Sequence, residues 1–227
     1  QHPRLGLLPP DSFIGMAEEN GHIVALGRWV LRAACEAAYE WHRRFPEAGI
    51  GVNVNVSVGQ LYDPGLSEYV RTTLAETGLP PSLLYLELTE SAVLGEAPGP
   101  VDALTGLAAE GVRLVIDDFG TGYSNLVHLS RLPACELKIA GSFLQASPGG
   151  PATSSGDLAN DKILPAIISL AHSLGLTVTA EGVETADQAE RLRELDCDTA
   201  QGWHFGYPSP PDDIAKLIKG DCDGQPH

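Results

Sequence analysis

VRLVIDDFGTGYS, residues 112–124, is the stretch around which the rest of the chain is read. Val112, Leu114, Val115 and Ile116 are the β-branched and apolar types of a buried strand, and the run stops abruptly on Asp117 and Asp118. A buried strand is therefore expected to carry two carboxylates to its own C-terminal tip. Gly120 and Gly122 bracket Thr121, giving a loop that can let a ligand approach the backbone closely. Two adjacent carboxylates in a water-poor site repel each other, so they call for a raised pKa or a shared cation. Read alone, the pair is equally compatible with two ordinary acids at a solvated strand end.

Outward from this stretch, apolar–polar alternation recurs. In residues 51–57, Val52, Val54 and Val56 alternate with Asn53, Asn55 and Ser57; in 83–89, Leu84, Leu86 and Leu88 alternate with Tyr85, Glu87 and Thr89. Residues 135–140 set Leu137 and Ile139 against Glu136, Lys138 and Ala140, and 177–181 set Val178 and Ala180 against Thr177, Thr179 and Glu181. A last strand is expected over 198–205, with Thr199, Gln201 and Trp203 on one face.

Helical patterns separate these strands. The first runs over 23–45, with Leu26, Val30, Ala34, Ala37 and Trp41 as its apolar stripe. Others follow at 63–78, 100–110, around Leu126, and at 161–174 with a stripe of Ile163, Ile167, Leu170 and Leu174. Thr185 and Gln188 form a capping box for a helix to Leu195, and a final helix covers 211–219. Asp11 and Ser12 cap the first structure after a proline-rich start; residues 146–157 read as a flexible low-complexity excursion.

Strand and helix thus alternate six times, which predicts an α/β fold with a parallel sheet. The polar parity on one face favours a TIM-like barrel over an open sheet. The strand tips then collect Asn55, Glu87, Asp117, Asp118, Lys138, Glu181 and Gln201. Carboxylates and one amide suit Mg²⁺ or Mn²⁺ better than zinc, and two ions sharing Asp117 would activate water for attack on phosphorus. Taken singly, Asn55 and Gln201 read as hydrogen-bonded strand amides, and Lys138 as a structural ion-pair partner. His172, Trp29 and Trp41 read as core residues.

The 227 residues carry a formal net charge of −16, which disfavours nucleic acid and anionic membrane surfaces as partners. No apolar run approaches bilayer length and no secretory leader is evident, so a soluble, cytoplasmic segment is expected. Cys35, Cys135, Cys197 and Cys222 are scattered without a metal-binding or disulfide spacing, in keeping with a reducing compartment.

VNVSVGQL (54–61), LELTES (86–91), IDDFGTGYS (116–124), LKI (137–139), LAHSLGL (170–176), AEGVET (180–185) and QGWHF (201–205) stand in the order of one known family. The chain resembles the EAL domain, the bacterial phosphodiesterase that linearises cyclic di-GMP to pGpG. The resemblance implies a single domain over 1–220 with a tail at 221–227, and an EAL-type (β/α)8 barrel. Its first two strands, with the Glu-Ala-Leu motif and its metal-binding glutamate, would lie ahead of His2, outside this chain.

By the same resemblance, Asn55, Glu87 and Asp117 would hold one metal, and Asp117, Asp118 and Glu181 a second. Glu181 would serve as general base, Lys138 would hold the attacking water, and Glu184 and Gln201 would line the substrate site. Glu90 would brace the loop after Asp118, which in the family couples substrate, metal and dimerisation. A homodimer fused to a sensor or GGDEF cyclase domain, in the cytoplasm or as the cytoplasmic part of a membrane-anchored protein, is the implied setting. One departure is internal: the family's Lys-Ile-Asp is Lys138-Ile139-Ala140 here. Three functions follow: the hydrolase, a degenerate EAL receptor that binds cyclic di-GMP without cleaving it, or a barrel acting on another phosphate ester.

Overall fold

The computed structural model describes residues 2–93, 98–120, 132–144 and 155–220. The helix expected around Leu126, the Thr121–Gly122 part of the glycine loop, most of the 146–157 excursion, Cys222 and the 221–227 tail lie outside the described residues.

Among the described residues the strands are β1 (Val52–Asn55), β2 (Leu84–Thr89), β3 (Arg113–Phe119), β4 (Glu136–Ile139), β5 (Thr177–Ala180) and β6 (Thr199–Ala200). The helices are α1 (Ile14–Glu19), α2 (Ile23–Arg44), α3 (Val58–Leu61), α4 (Leu66–Thr77), α5 (Glu90–Val93), α6 (Pro98–Ala109), α7 (Ser155–Ser173), α8 (Ala186–Glu194) and α9 (Pro211–Lys219). The strands form one six-stranded sheet in chain order, and β3 pairs with β4, β4 with β5 and β5 with β6 in parallel. This is the α/β architecture expected from the alternation.

The chain divides into two compact units: Gln1–Leu86 with Ala97–Val112, and Glu87–Glu96 with Arg113–His227. In the first, α2 packs on α4 and β1. Ile23, Leu31, Cys35 and Ala38 of α2 are buried with Val54, Val70 and Leu74. The buried stripe is turned from the expected one: Val30 is exposed, and Trp29, expected in the core, is 67% exposed. Gly27 causes the turn, because a Cβ there would lie 1.8 Å from Nε2 of the buried Gln60. Helix α2 presses its glycine face, not its Leu26 face, onto the turn that carries Gln60. That turn is fixed by a capping box, in which the Ser57 hydroxyl accepts from the Gln60 amide and the Gln60 side chain accepts from the Ser57 amide.

The second unit has its own core. Ile116, Phe119, Leu137, Ile139, Val178 and Ala180 of the sheet meet Leu164, Ile167, Ile168 and Ala171 of α7, with Ala189 and Leu192 of α8. Here too the expected helical stripe is displaced, since Ile163 and Leu174 are exposed. Helix α7 begins at Ser155, so the end of the expected excursion is helical. His172, expected in the core, is more than a third exposed and pairs with Asp198 at 2.9 Å. The Thr185–Gln188 capping box forms as expected and opens α8. β6 is much shorter than the strand expected over 198–205, because Gly202 packs against the Val183 backbone and breaks the extended run.

Candidate functional site

The carboxylates lie within β3 itself, not beyond its end, and the register shows how. Ile116 pairs with Leu137 and Phe119 with Ile139, so three steps on β3 match two on β4. The extra residue is a bulge, and Asp118 adopts a left-handed φ of 55°. In a regular strand, adjacent side chains point to opposite faces. The bulge cancels that alternation: carboxylate oxygens of Asp117, Asp118 and Glu181 all lie within 4.8 Å of one another. Asp117 Oδ1 also accepts from the Asp118 amide at 2.9 Å, which holds the bend.

Lys138 fills the centre of this cluster. It projects from β4 in register with Thr179, and its side chain is 4% exposed. Its Nζ lies 2.7 Å from Glu87 Oε1, 2.5 Å from Glu181 Oε1 and 3.9 Å from Asp117 Oδ1. Glu87 is delivered by β2 and is equally buried; Glu181 follows β5 directly, its amide donating to the Ile139 carbonyl. One cation thus faces three carboxylates, and a fourth acid, Asp118, stands beside them.

The electrostatics follow from that excess of negative charge. Burial raises the Asp117 pKa, Lys138 pulls it down, and Glu181 and Glu87 push it up again; it settles at about 6. Burial works against the Lys138 ammonium, yet the hydrogen bonds to Glu181 and Glu87 outweigh it and hold the lysine above its ordinary value. A group of hard oxygen donors with a strained carboxyl suits a divalent cation such as Mg²⁺ or Mn²⁺. Glu90, 4% exposed, accepts from the Gly120 amide at 3.0 Å through Oε2, which ties α5 to the backbone directly after the bulge. Its Oε1 is buried and has no partner among the described residues.

A groove of about 830 Å³ opens from Glu181 and is lined by Glu184, Gln201, Trp203, Phe205, Tyr207 and Leu217, among others. The Gln201 backbone is stapled in place, its amide donating to the Ala180 carbonyl and its carbonyl accepting from the Val183 amide. The structure therefore brings together Glu87, Asp117, Asp118, Lys138 and Glu181, with Glu184 and Gln201 in the adjoining groove. Asn55 ends β1 with its side chain exposed, in the other compact unit. The strand expected over 198–205 hides the aromatic lining at Trp203 and Phe205; Gly202, which interrupts that run, is the sequence signal for it.

A parallel βα fold with acidic groups and a buried lysine at the C-terminal ends of its strands carries a metal-compatible cluster where such folds place their active sites. The sequence matches the EAL domain family over residues 1–208, and the chain belongs to that family. It is 44% identical over 212 residues to an uncharacterized protein of Mycobacterium tuberculosis, covering 93% of this chain and 68% of that one. It is 42% identical over 218 residues to the bifunctional diguanylate cyclase/cyclic di-GMP phosphodiesterase MucR of Pseudomonas aeruginosa, covering 96% of this chain but 31% of MucR. The MucR phosphodiesterase structure, a c-di-GMP complex, superposes with a TM-score of 0.85 over 94% of this chain and 83% of that one.

Proposed function

We propose that the protein is a metal-dependent phosphodiesterase that hydrolyses one phosphodiester of cyclic di-GMP to give linear pGpG, with residues 1–220 acting as one EAL domain. The observation that carries this reading is the Lys138-centred cluster of Glu87, Asp117 and Glu181, joined by Asp118 through the β3 bulge. The likeness to MucR supports the choice of substrate.

Asp117, Asp118 and Glu181 would hold one Mg²⁺ or Mn²⁺, and Glu87 with Asp117 would contribute to a second. Bound there, the ions supply Lewis-acid polarisation of the phosphate and acidify water. The protein's own groups do the rest. Lys138 has three N–H donors, and Glu87 and Glu181 take two of them, so the third is left to hold water or a phosphate oxygen. As water adds to phosphorus and the bond to the ribose oxygen breaks, Glu181 accepts the proton from the water, Lys138 neutralises charge gathering on the phosphate oxygens, and the departing ribose oxygen takes a proton from solvent to become a hydroxyl. Glu184 and Gln201 contact the substrate from the groove, and Glu90 holds the backbone after the bulge.

A homodimer, a cytoplasmic setting and fusion to a GGDEF or sensor domain complete the proposal. The fusion is motivated by the small share of MucR that this chain spans. No described helix is long and apolar enough to cross a membrane.

One observation favours the receptor alternative: Ala140, two residues beyond Lys138 and 6% exposed, offers no carboxylate where the family pattern has one. The test is turnover of cyclic di-GMP by the full-length protein with Mg²⁺ or Mn²⁺, beside its Ala140→Asp variant, with products identified by mass. Cleavage to pGpG that stops with EDTA supports the hydrolase and shows that Ala140 is tolerated. Binding without cleavage, with cleavage gained in Ala140→Asp, makes the protein a receptor. Neither binding nor cleavage sinks both readings.

A further inference from the structure

We propose that Phe143 is a positioning residue for the divalent-ion site: the tip of its ring supports Gly120, and through it the β3 bulge that carries Asp117 and Asp118. This rests on the metal-dependent reading above. The site needs a support because its acids arrive on separate strands. Asp117 and Asp118 come from β3 and Glu181 from the end of β5, with β4 between them. Carboxylate oxygens from both sides nevertheless lie within 4.8 Å of one another. Like charges at that spacing repel, so the packing around them has to hold the arrangement.

The turn that follows β4 and Lys138 touches both sides. Residues Gly141–Leu144 form a 3-10 turn in which the Phe143 amide donates to the Ala140 carbonyl at 3.1 Å. Towards Glu181 the turn meets backbone directly. A Cβ on Gly141 would lie 3.1 Å from the Glu181 carbonyl oxygen, and a Cβ on Gly182 would lie 3.1 Å from the Gly141 Cα. Gln188 closes this side: its side-chain nitrogen donates to the Leu144 carbonyl at 3.2 Å, while its oxygen accepts from the Glu184 amide at 2.8 Å. The loop from Glu181 to Glu184 is thus fixed to the turn.

Towards β3 the turn offers the Phe143 ring. Gly120 directly follows the bulged strand with a φ of 93°, and a Cβ there would lie 2.7 Å from Phe143 Cζ and 2.9 Å from Cε2. The next atom, Ile167 Cδ1, is 3.6 Å away. Filling the core does not require a ring to meet bare backbone; this ring fits only because a glycine stands opposite it. Glu90 grips the same residue from its amide at 3.0 Å. One hydrogen bond leaves Gly120 free to swing about it, and the close-packed ring blocks that swing. Without the ring tip, every acid of the site is still present, but Asp117 and Asp118 lose the register with Glu181 that a shared ion requires.

The experiment is a calorimetric titration of the metal-free full-length protein with Mn²⁺, comparing the unmodified chain with Phe143→Ala, Phe143→Leu, Phe143→Met and Leu192→Ala, with melting in EDTA alongside. Phe143→Ala should weaken the Mn²⁺ Kd about tenfold or more. Phe143→Leu keeps apolar volume near the backbone but lacks the ring tip, so it should lose about fivefold or more and decides the matter should the alanine variant not fold. Phe143→Met, whose flexible chain reaches as far as the tip, should recover most of the affinity. Leu192 is buried in the same core on α8 and is not among the nearest neighbours of Gly120; Leu192→Ala should lower the melting midpoint yet keep Kd within about twofold. A Kd within twofold of the unmodified chain in both Phe143→Ala and Phe143→Leu overturns the inference. Equal weakening in Leu192→Ala also overturns it, because general destabilisation then explains the loss. Absence of Mn²⁺ binding by the unmodified chain overturns it together with the metal-dependent reading. The expected pattern of Kd values supports it even where cyclic di-GMP is not turned over, so the two readings fail separately.

Discussion

Replacing Lys138 with methionine removes, among the described residues, the cation that ion-pairs with Glu87, Asp117 and Glu181, and keeps roughly the same volume. The lysine is nearly fully buried, with contacts of 2.7 Å to Glu87 and 2.5 Å to Glu181. Breaking a buried ion pair by removing one partner costs about 3–5 kcal/mol, chiefly because the remaining charge is left uncompensated. At roughly 2–4 °C per kcal/mol for a chain of this size, metal-free Lys138→Met should melt about 6–20 °C below the unmodified protein at pH 7.5 in EDTA.

The pH dependence gives a second check on the same variant. Asp117 is held above its unfolded value of 3.8, at about 6. The folded state therefore binds its proton more tightly, and this contribution to stability is fully present below 3.8 and is lost as pH rises through about 6. Without the lysine the upper edge of that window moves up, so the deficit of Lys138→Met should shrink when melting is repeated at pH 5. Circular dichroism melts at both values suffice. A variant within 2 °C of the unmodified protein at pH 7.5, or a deficit that grows on acidification, would refute the account of Lys138 as the cation that makes the carboxylate cluster tolerable.

Three further outcomes are expected. Gly202→Ala places a Cβ within 2.3 Å of both the Val183 oxygen and nitrogen; the clash should cost roughly 3 kcal/mol and lower the melting midpoint clearly, and an unchanged midpoint would contradict the packing described. Burial pushes the Asp198 carboxyl up, but hydrogen bonds from His172 and the Val178 amide outweigh it and hold it below the usual carboxylate range. Its stabilisation is present above the unfolded value and is lost as pH falls through the folded one, so Asp198→Asn should be less stable at pH 7 and approach the unmodified protein towards pH ~3; a deficit that persists there would count against the pair. Cys35 is fully buried, and burial lifts its thiol to about 11, so a thiol reagent at pH 8 should label it only after denaturation, and an adduct on the native chain would show that α2 opens.

How much of this was legible in the sequence depends on the range of the interaction concerned. Period-two alternation located the strands before any contact was known, because burial of one parity is a local property. The Thr185–Gln188 capping box and the start of α9 at Pro211 were readable for the same reason: caps are made by neighbours in the chain. Helix faces were less legible. The buried stripe of α2 follows Gly27 against Gln60, a contact between residues far apart in sequence, and apolar spacing alone chose a different face for Trp29.

For the site, the residue types alone gave the chemistry: carboxylates, one lysine and an amide at strand ends on a parity that should not hold charge. The sequence therefore determined the strands found among the described residues, the family and the identity of the acids that gather there. Only tertiary structure decided how they gather. Adjacent aspartates on a regular strand would face opposite ways, and the β3 bulge at Asp118 depends on pairing with β4, which no local pattern encodes. The same holds for Lys138, whose charge is tolerable only because β2 and β5 bring Glu87 and Glu181 within hydrogen-bonding distance. It holds for the aromatic lining of the groove as well, since Gly202 ends β6 by packing against Val183 and leaves the following rings exposed along a groove rather than buried under a strand.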